Sequence, residues 1–110
     1  MVYTTAQVNQ AIEEYLQRAL PITPDIEEIW LFGSYAKGTA HEDSDLDLAV
    51  VSPRFAEDYP AAISVVAQAL WDIEVPIQIH GFTREDFEHD ILCEEIRRTG
   101  KCVYKKHQNF

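Results

Sequence analysis

Apolar and polar positions along the chain alternate with two different periods, which separate predicted helices from predicted strands. From residue 4 to about residue 20 the apolar positions recur every three or four residues, which predicts an amphipathic helix. Thr4 or Thr5 can cap its start, and Pro21 and Pro24 end it. Shorter apolar runs follow at about residues 26–32, 45–51 and 74–80. These runs predict three strands.

Two further helices are predicted in the second half of the chain. The first covers about residues 58–71 and is apolar on most sides, so we expect it to be largely buried. The second runs from Thr83 to about Thr99, and Thr83 with Asp86 resembles a capping box. Gly100 suits the position after its end. Its predicted buried stripe consists of Phe87, Ile91, Leu92 and Ile96.

The order of these elements predicts one α/β domain with helices packed on a small sheet. The link between the first two strands is short for a parallel crossover, so an antiparallel or mixed pair is expected. Residues 103–104 predict a short edge strand. Residues 1–106 form the predicted domain, and residues 107–110 are predicted to be a loose tail. Trp30 and Trp71 are predicted to lie in the core.

Composition and charge narrow the classes of partner. The 110 residues are 46% hydrophobic, and 19 acidic against 9 basic residues give a net charge of −10. Long nucleic acids require a basic surface, so nucleic acid is an unlikely partner. No apolar run has the length of a membrane helix and the N-terminus lacks a signal-peptide pattern, so a cytoplasmic location is expected. Cys93 and Cys102 lack zinc-ligand spacing and are predicted to be reduced.

Residues 31–51 carry the candidate chemistry and read LFGSYAKGTAHEDSDLDLAVV. Gly33 ends one apolar run and permits a sharp turn close to a ligand. Ser34 is predicted to cap a helical turn over residues 35–37, whose free N–H groups attract phosphate. After ten further residues, Asp45 and Asp47 open the next run.

The two aspartates are predicted to point to the same side of their strand, because side chains two residues apart share a face. Neighbouring carboxylates repel each other unless a cation lies between them, and Mg²⁺ commonly binds one or two carboxylates together with substrate phosphates. Gly-Ser and Asp-x-Asp are each common in turns and strand starts. Their spacing and the apolar runs around them together favour a metal–nucleotide site.

This pattern, G-S-x10-D-x-D between two apolar runs, resembles the minimal nucleotidyltransferase family of the DNA polymerase β-like superfamily. The resemblance implies a small mixed sheet with helices mainly on one face. It also implies that Gly33 and Ser34 bind the triphosphate of ATP or another NTP, and that Asp45 and Asp47 bind Mg²⁺. A third carboxylate on a later strand would complete a two-metal site. The implied activity is transfer of AMP to a hydroxyl of a protein or small molecule, with this chain as the antitoxin of a helical HEPN-type toxin.

The third carboxylate is the point where the sequence departs from this family. Counting back five residues from Thr83 reaches Gln78, which occupies the position of the third catalytic residue. Glu74 shares its predicted face but lies four residues earlier, about 13 Å away along a strand. A glutamine can bind a cation weakly through its carbonyl oxygen, but it carries no charge and is no useful base. A catalytically weak or inactive module that binds Mg²⁺–nucleotide or a partner protein is therefore the alternative.

Four other residues have both a functional and an ordinary interpretation. Lys37 lies one helical turn after the serine and is equally well a phosphate ligand or a solvated lysine. Arg54 is a weaker phosphate candidate, and His41 is favoured as a surface residue. His80 shares the predicted face of Gln78 and could accept a proton or bind metal, although an ordinary strand-end histidine is favoured.

Overall fold

A computed structural model describes residues 2–106. The described elements, in chain order, are α1 (Thr5–Ile22), β1 (Glu28–Phe32), α2 (Ser34–Lys37), β2 (Leu46–Val51), α3 (Tyr59–Ala67), β3 (Ile77–Phe82), α4 (Arg84–His89), α5 (Ile91–Thr99) and β4 (Lys101–Lys105). Short 3-10 turns follow β2 and α3. The predicted tail, residues 107–110, lies outside the described residues.

The four strands form one mixed sheet in the order β3-β2-β1-β4. The central strand β1 is antiparallel to both β2 and β4, whereas β2 and β3 are parallel. The short link between β1 and β2 therefore joins antiparallel strands, as expected from its length. The predicted edge strand is confirmed as β4. These features confirm the predicted α/β class with a small mixed sheet.

The larger core lies between the sheet and helices α1 and α3. Alternate strand residues such as Leu31 and Leu48 are buried there, because side chains two apart share a face. The hydroxyl of the buried Tyr15 in α1 donates to the carbonyl oxygen of Val66 in α3 at 2.9 Å. Burial raises the pKa of Tyr15 far above its ordinary value, so the phenol stays a hydrogen-bond donor. This bond fixes α1 against α3.

A smaller cluster on the opposite face packs α4 and α5 onto the sheet. Ala49, Val51 and Phe87 are buried in it, and the rings of Trp30 and Phe87 lie 5.6 Å apart. Helices thus lie on both faces, and the larger core is on the α1 and α3 side. Asp47 shares the face of Ala49 and Val51 because it lies two residues before Ala49 on β2.

The last predicted helix is interrupted, which corrects the predicted buried stripe. At Asp90 the backbone is extended (φ −73°, ψ 138°), and the Asp90 side chain accepts a hydrogen bond from the N–H of Leu92 at 2.8 Å. This cap starts a new helix with a different phase. Ile91 and Leu92 are therefore 84% and 55% exposed, whereas Phe87 and Ile96 are buried as predicted.

Helix α3 is less buried than the sequence predicted, because Ala62 and Val66 are its buried residues and its other positions are exposed or half-buried. The remaining differences lie at element ends. Thr4 caps α1 as predicted, but the helix includes Pro21 in its last turn and ends one residue later. Trp71, predicted to be buried, is 76% exposed because α3 ends at Ala67 and the 3-10 turn after it ends before the tryptophan. Strand β3 begins three residues after its predicted start and extends through Phe82.

Both cysteines are free thiols, as predicted. Cys93 is buried in α5, and this burial raises the pKa of its thiol to about 11, so the sulfur stays protonated and unreactive. Among residues 2–106, no helix combines the length and the apolar character that a membrane span requires.

Candidate active site

The turn between β1 and β2 begins at Gly33, as the sequence predicts. Gly33 has φ +76°, in the left-handed region that favours glycine, and its carbonyl oxygen accepts the N–H of Lys37 at 3.1 Å. Gly38, also at φ +76°, ends the four-residue helix α2. One detail is corrected: Gly33 occupies the N-cap position, and Ser34 is the first helical residue without a capping side-chain bond. The helix therefore begins at Ser34, one residue before its predicted start.

The Asp47 carboxylate lies directly against this turn. A Cβ atom placed on Gly33 would be 2.5 Å from Asp47 Oδ2, closer than real contacts allow. Asp47 is also the antiparallel partner of Phe32, the residue before the glycine. Gly33 is thus required both for its backbone conformation and for the space that the carboxylate occupies.

Asp45 lies one residue before β2 and is exposed, whereas the Asp47 side chain is only 25% exposed. The structure therefore places both acids at the start of β2 but brings only Asp47 into the ladder of paired strands. The convergence of both carboxylates on one ligand stays a prediction from the strand period.

The parallel register brings Gln78 beside Asp47 and His80 beside Ala49. No residue of β3 is acidic, since the strand reads IQIHGF. Glu74 precedes the strand by three residues and is exposed, so it does not take the place next to Asp47. The neutral Gln78, exposed to solvent, is the strand neighbour of the metal-ligand candidate.

The side chain of His80 contacts Asp47, whereas the sequence favoured an ordinary histidine at the end of a strand. Its Nε2 lies 3.2 Å from Asp47 Oδ1, and its ring packs edge-on against Phe32 with centroids 5.0 Å apart. The signal in the sequence was its position two residues after Gln78 on the same face. The contact itself depends on the parallel register of β2 and β3.

The other basic candidates are engaged within the protein. Lys37 Nζ pairs with Glu95 Oε1 at 3.0 Å, which links α2 to α5. The guanidinium of Arg54 binds both carboxylate oxygens of Asp25 at 3.1 and 3.2 Å. The exposed ring of His41 accepts the N–H of Asp43 through Nδ1 at 3.3 Å.

The donor set suits a cation that arrives with a nucleotide. Mg²⁺ prefers oxygen ligands and is commonly held by one or two carboxylates plus substrate phosphates. Asp47, with Asp45 two residues before it, offers that minimum. In the part of the chain that the structure describes, no group of three or more His, Cys, Asp or Glu side chains could hold a metal ion.

Comparison with known proteins supplies the family. Residues 10–109 match the family model for the polymerase beta nucleotidyltransferases. The chain belongs to this nucleotidyltransferase family. The match extends well beyond the motif of residues 31–51 and confirms the resemblance inferred from that motif.

One curated relative has an informative name. A protein of Methanocaldococcus jannaschii named "Putative protein adenylyltransferase" is 46% identical over 46 residues, which are 41% of this chain. The match spans only 31% of that relative's length.

Solved structures show the same fold. A "putative nucleotidyltransferase" from Sulfolobus solfataricus superposes with a TM-score of 0.67 at 17% identity, covering 100% of this chain and 96% of that one. A toxin–antitoxin complex with AMP-PNP matches with a TM-score of 0.58 at 24% identity, over 90% of this chain and 74% of that one. A toxin–antitoxin complex named MntA-HpeT gives 0.59 at 24% identity, over 91% and 74%.

Proposed function

We propose that this nucleotidyltransferase transfers AMP from Mg²⁺-bound ATP to a hydroxyl group of a protein. Enzymes of its family generally use a nucleoside triphosphate and a divalent metal ion. The observation that carries the proposal is the close approach of the Asp47 carboxylate to the Gly33 turn, which sets a candidate metal ligand beside a candidate phosphate-binding turn. The name of the archaeal relative favours a protein acceptor over a small molecule.

In this proposal Gly33 and Ser34 bind the distal phosphates, and Asp45 and Asp47 hold the cation. Held by Asp45 and Asp47, a divalent cation would supply charge neutralisation on the triphosphate and on the leaving pyrophosphate. Lys37 can bind phosphate only when its ammonium group leaves the solvent-exposed salt bridge with Glu95. The acceptor oxygen forms a bond to the α-phosphorus, and the bond from that phosphorus to pyrophosphate breaks.

The acceptor hydroxyl has no carboxylate base on β3 beside Asp47, because Gln78 occupies that position. Gln78 can orient the hydroxyl by hydrogen bonding but cannot take its proton. General-base assistance contributes typically 10²- to 10⁴-fold to such reactions. The proposed enzyme is therefore slow alone, or its acceptor supplies the missing group.

The second candidate function is a module that binds Mg²⁺–nucleotide or a partner protein without chemistry. Gln78 is the observation that favours it, because the register leaves β3 without a carboxylate beside Asp47. The two candidates share the nucleotide-binding half of the site and differ only in what happens to the α-phosphate.

The proposed partner is a helical HEPN-type protein, and this chain would act as its antitoxin. The support is the likeness of fold to two toxin–antitoxin complexes, one of them with AMP-PNP. The net charge of −10 supports a protein acceptor over nucleic acid, because the phosphates of nucleic acid would be repelled. A cytoplasmic location is part of the same proposal.

The test is incubation of the purified chain and a candidate partner with Mg²⁺ and ATP labelled at the α-phosphate. We expect the label to enter the partner, and Asp45→Asn to prevent this. ATP labelled at the γ-phosphate is the control, because a kinase would transfer that label instead. Nucleotide binding without transfer, unchanged by Gln78→Asp, would establish the binding module.

A further inference from the structure

We propose that His80 is a positioning residue for Asp47. Its imidazole N–H holds one carboxylate oxygen, so that the other faces the Gly33 turn. The inference rests on the proposed function, because it assigns His80 to the same metal–nucleotide site. It adds a residue that acts through Asp47 and that the G-S-x10-D-x-D motif does not contain.

The two oxygens of Asp47 have different neighbours. Oδ1 lies 3.2 Å from His80 Nε2, and Oδ2 points at the space where Gly33 lacks a side chain. An ionised carboxylate only accepts hydrogen bonds, so in this proposal Nε2 carries the imidazole proton and donates it to Oδ1. The neutral imidazole already supplies that donor, and the bond requires no positive charge on His80.

The histidine ring is itself held in place. Its edge-on contact with Phe32, 5.0 Å between ring centroids at 67°, restricts rotation of the imidazole. Phe32 ends β1, Asp47 lies on β2 and His80 lies on β3, so three strands fix one carboxylate. With side-chain exposures of 25% and 32%, Asp47 and His80 are still accessible to a ligand.

Such support has a known energetic scale. Partners that hydrogen-bond a metal ligand orient it, and their loss typically lowers metal affinity or activity 10- to 100-fold. Gln78, although directly beside Asp47 in register, is exposed and has no recorded bond to that carboxylate among residues 2–106. The residue that orients Asp47 is therefore His80, which lies two residues after the directly paired Gln78 on β3.

The experiment measures Mn²⁺ binding in the presence of an ATP analogue with a methylene bridge between the α- and β-phosphates. Electron paramagnetic resonance counts the bound Mn²⁺ without any turnover. We expect His80→Leu to weaken binding about tenfold. His80→Gln should retain most of the affinity because its amide nitrogen can still donate. His41→Leu is the matched control, because the exposed His41 ring accepts a hydrogen bond from the Asp43 N–H and not from a residue of the site.

Two further measurements keep the test independent of folding defects. In an Asp47→Asn background, His80→Leu should cause no additional loss, because the pair acts as one unit. In the unmodified protein, long-range ¹H–¹⁵N spectra should show the His80 proton on Nε2. A proton on Nδ1, or Mn²⁺ spectra with nitrogen coupling from a directly bound imidazole, would overturn the positioning role.

The outcomes separate this inference from the proposed function. Suppose that the wild type binds Mn²⁺–nucleotide and Asp47→Asn weakens it, while folded His80→Leu binds as tightly as the wild type. Then the positioning role is wrong and the proposed site stands. Absence of binding by the wild-type protein would overturn both.

Discussion

The sheet face on which α4 and α5 pack has two ends that differ in solvent exposure. At the covered end, Trp30 of β1 packs against Phe87 of α4 beneath helices α4 and α5. At the open end, only a few residues further along the strands, Asp47, Gln78 and His80 remain accessible to solvent. One end of this face therefore stabilises the fold, and the other end leaves polar side chains accessible to a ligand. Apolar burial at the covered end can stabilise the fold while the polar residues at the open end make few core contacts.

The largest effect on stability should come from the covered end. Phe87 is 1% exposed, and its ring contacts Trp30 and Phe82 and lies 5.8 Å from the Arg97 guanidinium. Phe87→Ala should lower the free energy of unfolding by about 3 to 5 kcal/mol, as measured by urea denaturation. The exposed Ile91 is the control, and Ile91→Ala should change stability by less than about 0.5 kcal/mol. Equal losses would show that burial of Phe87 is not the source of the stability.

The largest effect on activity should come from the open end. Asp47→Asn removes the charge next to the Gly33 turn and should reduce AMP transfer by about 10² to 10³. Stability should change little, because Asp47 is not part of the core. Initial rates with α-labelled ATP measure this, and Asp43→Asn, in the exposed loop before β2, is the control. Full activity of Asp47→Asn would contradict the placement of the site.

Two glycines allow the carboxylate contact to be separated from backbone strain. Gly33 and Gly38 both have φ +76°, but only Gly33 faces Asp47 Oδ2, and Gly38 has nothing within 4 Å. Either substitution by alanine should cost about 1 to 2 kcal/mol in unfolding free energy. Only Gly33→Ala should also weaken nucleotide binding, measured by calorimetric titration. Equal nucleotide affinity in the two variants would show that the contact has no role.

A smaller effect is expected where the family pattern is restored. Gln78→Asp places a carboxylate beside Asp47 and should raise the transfer rate constant about tenfold or more, since a general base is regained. Gln78→Asn is the control, because it has the same length as aspartate without the charge. A gain in both variants would point to side-chain size, and no gain in either would favour the binding module.

The smallest effect concerns the ion pair at the covered end between Glu28 of β1 and Arg84 of α4, whose oxygen and nitrogen lie 2.6 Å apart. Burial alone would raise the pKa of Glu28, but hydrogen bonds from Trp30 and Arg84 outweigh it and lower that pKa. A lowered pKa in the folded state stabilises the fold above the ordinary value of 4.5, and this contribution disappears as the pH falls below it. Glu28→Gln should remove about 0.5 to 1 kcal/mol at pH 7 and less at pH 3, measured by thermal unfolding. An unchanged difference at both pH values would contradict this assignment.

Local patterns were readable in the sequence because their physics is local. The Gly33 turn and the Thr4 and Thr83 caps each depend on residues within one turn of the chain, and all are present. The antiparallel pairing of β1 and β2 followed from the length of their link. The structure pairs Gln78 with Asp47 across β2 and β3, and the assignment of Gln78 to the position of the third carboxylate stays a prediction.

Long-range packing was not readable in the same way. The exposure of Trp71 and the new helix start at Asp90 depend on how α3, α4 and α5 meet the sheet, so the periodicity of their residues misassigned Trp71, Ile91 and Leu92. A helical period describes one uninterrupted helix, and a single extended residue resets its phase.

Residue spacing and residue type specify the family motif, the class of fold and the missing acid on β3, because each depends on the order of residues along the chain. The neighbours of the Asp47 carboxylate depend instead on how the chain packs. The contact from His80 joins residues 33 positions apart, and it exists because parallel β2 and β3 align at one register. Strand register is set by the packing of the whole sheet, so no local pattern specifies which side chains meet across it.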